Sequence, residues 1–201
     1  MKMSLGLTGG IATGKSTVLT FLKEKFSGAE VFDADQVVRG FFEKREILDE
    51  LSVLFGSCVL RSDGQLDREE MRSQIFSDVK QREKLESFLH PKVRKECLEK
   101  HKKWLIKSAS TLFVADVPLL FEVELDFGQD MNLVVATSQS TQRSRLKKRN
   151  HFDDEMISSI LAAQLPILDK VNRADVVFWN EGPKILLFRQ LEHFLDSIDQ
   201  P

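Results

Sequence analysis

The sequence predicts an α/β fold, a parallel sheet covered by helices on both faces with a helical insertion inside it. Short apolar runs recur at Met3 to Thr8, Ala29 to Phe32, Thr111 to Ala115, Met131 to Ala136 and Asp175 to Trp179. They are continuously apolar, as strands buried on both faces are. Segments between them carry helical spacing, the alternation that builds a parallel sheet. From about residue 35 to 108 strand signals fade and a charged, helical pattern takes over.

The first run, MSLGLT, ends in glycines and reads as a buried strand feeding a tight turn. Lys15 to Lys25 follows as a helix, with Val18, Leu19, Leu22 and Phe26 at helical spacing. Ala29 to Phe32 is a second strand that stops at Asp33, before a helix from Ala34 to Phe42. Leu66 to Phe76 opens with acidic residues after Asp63 and Gly64, as a helix start does. Val79 to Lys107 is helical with Pro91 inside it. Proline lacks the amide donor and disfavours helix before it, so a break or kink is expected near His90. A basic helical stretch, Gln142 to Asn150, and a second from Asp153 to Pro166 separate the last two strands. Pro183 to Ile198 is amphipathic, with proline near its first turn.

Composition narrows the function. A net charge of -2 over 201 residues argues against a dedicated nucleic-acid binder. No apolar run approaches the roughly 20 residues of a membrane span. The start, MKMSLGLTGG, lacks the apolar core and cleavage site of a signal peptide. Cys58 and Cys97 have no CxxC spacing, which points to reduced thiols in a cytoplasmic protein. His90, His101, His151 and His193 lie too far apart to suggest a metal site.

The chemistry begins at Gly9 to Ser16, GGIATGKS, which matches G-x-x-x-x-G-K-[ST] in full. Anions need donors, and a glycine loop offers backbone amides without blocking side chains. Gly9, Gly10, Ile11, Ala12, Thr13, Gly14, Lys15, Ser16 and Thr17 are therefore expected to hold the phosphates of a nucleotide of the ATP type. Lys15 supplies a point charge to the β/γ-phosphates, and Ser16 offers its hydroxyl to Mg²⁺. No GxGxxG dinucleotide fingerprint is present.

Acidic residues stand at two strand ends, where ligands sit in open parallel sheets. Asp116 follows TLFVA and fits a carboxylate that binds Mg²⁺, often through water. Asp33 opens DAD and suits a group that accepts a proton from an acceptor hydroxyl; capping the next helix would explain it as well. The basic patch holds Arg143, Arg145, Lys147, Lys148 and Arg149. It reads either as a solvated face or as a lid that brings arginines to the transferred phosphoryl. Arg145 and Arg149, four apart, share a helix face.

Together these motifs resemble one family, the dephospho-coenzyme A kinases. The resemblance rests on GLTGGIATGKS (Gly6 to Ser16), DAD with Arg39, LHPKVR (Leu89 to Arg94), DVPLLFE (Asp116 to Glu122), RLKKR (Arg145 to Arg149), ILAAQ (Ile160 to Gln164) and ADVVFWNEG (Ala174 to Gly182). HPKVR and PLLFE carry most of its specificity. It implies a P-loop kinase fold with a five-stranded parallel core, a helical acceptor domain and a helical lid. The core would be 1–34, 109–139 and 174–201, the acceptor domain 35–108 and the lid 140–173. It implies Mg²⁺-dependent phosphoryl transfer from ATP to the ribose 3'-hydroxyl of dephospho-coenzyme A. Asp33 would be the base. Arg39, His90, Arg94, Pro118, Leu119 and Glu122 would serve the acceptor, Arg145 and Arg149 the phosphates, and Asn180 and Gly182 the adenine loop. A cytoplasmic monomer with no nucleic-acid or membrane partner is expected.

Three positions depart from the family pattern. Ala12-Thr13 stands where Gly-Ser is usual, Ile160 where many members carry arginine, and Trp179 where a smaller residue is common. Another P-loop kinase would share the donor-side chemistry and differ in 35–108. A nucleotide-dependent switch would need a base-reading motif. NRAD (Asn172 to Asp175) faintly resembles one, but it precedes a strand instead of following it.

Overall fold

In a computed structural model, residues 2–106, 109 and 111–198 are described. The expected helix end at Lys107, the domain limit at 108 and the last three residues of the 174–201 segment lie outside them. The elements, in chain order, are β1 (Met3–Gly9), α1 (Lys15–Lys25), β2 (Glu30–Asp33), α2 (Ala34–Phe41), α3 (Arg45–Phe55), α4 (Arg68–Ser77), α5 (Val79–Ile106), β3 (Leu112–Asp116), β4 (Met131–Ala136), α6 (Gln139–Asn150), α7 (Asp154–Ala162), α8 (Ile167–Val171), β5 (Val176–Trp179) and α9 (Lys184–Ile198). The strands form one sheet in the order β2–β3–β1–β4–β5. The β1–β3, β1–β4 and β4–β5 pairs are parallel. The expected α/β class and parallel sheet are thus observed.

The chain divides into two compact units, one of Met1–Phe32 with His101–Pro201, the other of Asp33–Lys100. In the first, successive side chains leave each strand on opposite faces. Leu5 and Leu7, Leu112 and Val114, Leu133 and Val135, and Phe178 meet Val18, Phe21 and Leu22 of α1 and Leu187, Leu191 and Phe194 of α9. The opposite face is buried too. There Phe113 packs with Trp104, Phe127 and His101. Burial of both faces explains why the strands read as unbroken apolar runs.

His101 is 6% exposed, its ring 5.4 Å from that of Trp104 and 5.2 Å from that of Phe127. Burial lowers its pKa below the ordinary 6.5, against the pull of the Asp130 carboxylate and a hydrogen bond to the Phe127 backbone. Burial lowers His90 likewise, opposed by Glu86. A lowered folded pKa means the unfolded chain takes the proton first. The stability is therefore complete above about pH 6.5 and is lost as pH falls through the folded values. Melting temperature should drop from about pH 7 to about pH 5.5. His101→Phe should remove part of that slope, and an unchanged slope would exclude His101 as a source.

The second unit has its own core. Phe41, Ile47, Leu48, Leu51, Phe55, Val59, Leu66, Met71, Leu85 and Leu89 are buried together. Two expectations need correction here. Of the break or kink expected near His90, the break does not occur, because α5 is continuous over 28 residues with Pro91 inside it. Proline costs a helix about 3 kcal/mol, and burial of Leu85 and Leu89 before it and Cys97 after it offsets that local loss. The helix expected from Leu66 begins instead at Arg68, capped by Asp67, whose side chain accepts from the Glu69 and Glu70 amides. Leu66 forms an antiparallel bridge with Leu60, closing a turn at Asp63 and Gly64. Cys58 and Cys97 are free thiols, and burial pushes that of Cys97 up to about 12. No helix among the described residues is long and apolar enough to cross a membrane.

Candidate active site

The sheet register places Leu7 beside Asp116 and Gly9 beside Val135. The carboxyl ends of β3 and β4 therefore flank the point where the chain leaves β1 for the glycine loop. Two glycines there resist substitution. A Cβ on Gly9 would lie 2.4 Å from the Val135 carbonyl oxygen. Gly14 has φ +100°, and its Cβ would lie 2.2 Å from Asn180 Nδ2.

Gly14 leads directly into α1, which has no side-chain cap and no acidic residue in its first turn. Among the described residues, the amides of Ala12, Gly14, Lys15 and Ser16 have no protein acceptor. Open amides at the positive end of a helix dipole make an anion site. Lys15 Nζ pairs with Asp116 Oδ1, their side chains 18% and 11% exposed. Ser16, next to Lys15 in the chain, is exposed.

The outer side of the loop is held by side chains. Ile11 N donates to Gln164 Oε1 at 3.0 Å, and Gln142 Nε2 donates to the Ile11 carbonyl at 2.8 Å. Arg145 donates to the carbonyls of Ala12 at 3.1 Å, Thr13 at 3.3 Å and Asn180 at 3.0 Å. Asn180 Nδ2 donates to the Thr13 carbonyl at 2.7 Å.

A second network lies below. The Pro118 carbonyl accepts from Thr8 Oγ1 at 2.9 Å and from Lys170 Nζ at 2.7 Å. Lys170 also pairs with Glu122 at 2.8 Å, and Glu122 accepts from the Leu165 amide at 3.0 Å. Lys170 is fully buried. Burial lowers its pKa against the pull of Glu122, and the charge of Lys15 lowers it further. A third carboxylate, Glu181, anchors the start of α6. It accepts from the Ser138 amide and from the hydroxyls of Thr137, Ser138 and Thr141. The Ser138 amide and these hydroxyls bring its pKa down to about 2.

Of the expected site residues, Lys15, Asp116, Pro118, Glu122, Arg145 and Asn180 belong to these networks, and Ser16 contributes an open amide next to Lys15. Leu119 lies half-buried between Pro118 and Glu122. Gly182 turns the chain after β5 with φ +81°. Thr17 spends its amide inside the helix turn, on the Gly14 carbonyl. Arg145 and Arg149 do not act on one target here. Only Arg145 reaches the loop, while the exposed Arg149 donates to Asn150. Asp33 ends β2 and caps α2, its Oδ1 accepting from the Gln36 amide at 2.9 Å. Arg39 and Arg94 are exposed on α2 and α5, and His90 is half-buried on α5. Ile160 is half-buried on α7. Trp179 is 41% exposed, its backbone bracketed by the Gln190 side chain. Asp175 of NRAD accepts from the Asn132 amide, a structural bond.

Sequence reasoning gave no role to Gln142, Gln164, Lys170 or Glu181. Gln142 and Gln164 meet Ile11 across 131 and 153 residues, and no local pattern signals such pairings.

The sequence model of the dephospho-CoA kinase family matches residues 3–184. A dephospho-CoA kinase of Bacillus cereus is 39% identical over 198 residues, 98% of each chain. One from Fusobacterium nucleatum is 35% identical over 196 residues, again 98% of each. The crystal structure of TT1252 from Thermus thermophilus superposes with a TM-score of 0.79 at 30% identity, covering 99% of both chains. With the glycine loop, the strand-end aspartate and the parallel sheet all in place, the chain belongs to the dephospho-CoA kinase family.

Proposed function

We propose that this protein transfers the γ-phosphoryl group of ATP to the ribose 3'-hydroxyl of dephospho-CoA, giving CoA and ADP. The observation that carries the donor half is the set of open amides at Ala12, Gly14, Lys15 and Ser16 above α1. They receive the phosphates, and Lys15 exchanges its partner Asp116 for phosphate oxygens. In the transfer, the acceptor oxygen bonds to the γ-phosphorus as the bond to the ADP oxygen breaks. Asp33 takes the hydroxyl proton. Its Oδ1 holds the α2 cap, and the second oxygen is the one assigned to the proton. Lys15 and the loop amides hold the charge that collects on ADP, which is where positioned donors accelerate phosphoryl transfer most.

Mg²⁺ fits the donor set. Asp116 pairs with Lys15, and the exposed Ser16 follows Lys15 in the chain; among the described residues no cluster of three or more acidic, His or Cys groups could hold a metal alone. That suits an ion carried largely by phosphate and water, with one or two protein ligands. It would neutralise phosphate charge.

We assign the segment 35–108, with Arg39, His90 and Arg94, to acceptor binding, together with Pro118, Leu119 and Glu122, and 140–173 to a lid. Arg149 is exposed in this form, and its assignment to the phosphates requires it to move there on lid closure. The proposal includes a cytoplasmic monomer, where ATP is available and thiols stay reduced. ADP release against a panel of dephospho-CoA, adenosine, AMP and shikimate should show selective turnover of dephospho-CoA. Preference for another member of the panel would overturn the substrate.

A further inference from the structure

We propose that Gln142 and Gln164 are positioning residues, which set the orientation of the Ile11 peptide groups and so aim the loop amides at the phosphates. The inference rests on the nucleotide reading of the loop and goes beyond it. In a trans peptide the C=O and the following N–H point opposite ways. Gln142 draws the Ile11 carbonyl outward at 2.8 Å, so the Ala12 N–H of the same plane points into the loop. In the next plane Arg145 holds the Ala12 carbonyl and the Thr13 N–H closes the turn on the Gly10 carbonyl; the plane after it obeys the first geometry. Asn180 and Arg145 draw the Thr13 carbonyl outward, which turns the Gly14 N–H inward. Gln164 takes the Ile11 N–H outward at 3.0 Å, fixing the plane that enters the turn.

Two features show that this orientation must be held. Ala12 has φ +60°, a left-handed conformation that non-glycine residues keep only when their surroundings fix it. Gly10 leaves room for the clamp, since a Cβ there would lie 2.5 Å from Gln142 Nε2. The two glutamines come from different elements. Gln142 lies on α6 and Gln164 follows α7, so the segment assigned to the lid also shapes the phosphate site.

The test is binding of Mg·ADP, measured by calorimetry on the full chain, with KM for ATP and for the acceptor measured separately. Gln142→Ala and Gln164→Ala should each weaken ADP and raise KM for ATP by roughly three- to tenfold, the scale of one net hydrogen bond. KM for the acceptor should stay within about twofold on the same scale. Both glutamines line a cavity of about 360 Å³. Each truncation removes one hydrogen bond and enlarges that space, so apo melting temperatures should fall modestly, and binding is measured below them.

Glutamate variants give a readout that side-chain volume cannot. Gln164→Glu keeps the acceptor for Ile11 N–H and should bind ADP better than Gln164→Ala. Gln142→Glu replaces a donor with an acceptor facing the Ile11 carbonyl and should bind worse than Gln142→Ala. Both add the same charge, so the opposite ranking reads hydrogen-bond polarity. ADP affinities within about twofold of wild type for both alanine variants, or the same ranking at both positions, would overturn the proposal. If either variant fails to fold, the comparison at the other position decides. ADP binding needs no acceptor, so the ranking stands even if the panel names another substrate. A wild type that binds no ADP overturns both readings.

Discussion

Lys15→Ala is expected to lower turnover by about 10²–10³-fold, the loss that follows removal of one donor aimed at developing charge. Nucleotide affinity should also fall, because the lysine meets phosphate in the ground state as well. The free protein pairs Lys15 with Asp116, both largely buried, so the substitution leaves a carboxylate without its cation, which itself destabilises. A companion, Lys15→Ala with Asp116→Asn, removes both charges and restores neutrality. Because Asp116 is itself assigned to Mg²⁺, the double variant reads stability alone, and its melting temperature should return toward wild type. Turnover of the single variant is measured well below its own melting temperature, with circular dichroism checking the fold. Activity that returns on cooling would trace the loss to instability, whereas a loss that persists in the folded single variant assigns Lys15 to the transfer. Near-normal activity in the single variant would remove the loop lysine from the mechanism.

Asp33→Asn should reduce kcat by about 10²–10⁴-fold, the range for general acid–base groups, with ATP affinity nearly unchanged. The structure makes this substitution unusually clean. Asp33 Oδ1 caps α2 by accepting from the Gln36 amide. An asparagine oxygen makes the same cap at little cost. What disappears is the capacity to take a proton. Single-turnover measurements at saturating ATP separate the steps. A large loss of ATP affinity with an intact transfer rate would make Asp33 a donor-side residue and overturn its assignment as base.

Much of this site was legible before any coordinates. Gly9 to Ser16 is a contiguous pattern whose chemistry lies in its own backbone, so spacing alone identified it. Asp116 was legible because a continuous apolar run ended on it, and register then placed it beside Leu7. Asp33 illustrates a different outcome. The cap and the base were alternative readings in sequence; the cap is observed on one oxygen, and the base is proposed for the other. Pro91 shows where a local rule fails. Its missing amide is a local cost, whereas continuity of α5 is settled by burial on both sides of it.

The sequence by itself determined the alternation of buried strands and helices, the phosphate loop, the strand-end carboxylates and, through ordered motifs along nearly the whole chain, the family. These are local or periodic properties, carried by neighbours in the chain. Only the tertiary structure decided that Arg145 braces the loop while Arg149 stands apart, that Lys170 is buried against Glu122 and Pro118, that Glu181 holds the start of α6, and that two glutamines grip Ile11. Those contacts join side chains to backbone groups far away in sequence. Their partners are carbonyls and amides that every residue carries, so no residue type at either end announces the bond.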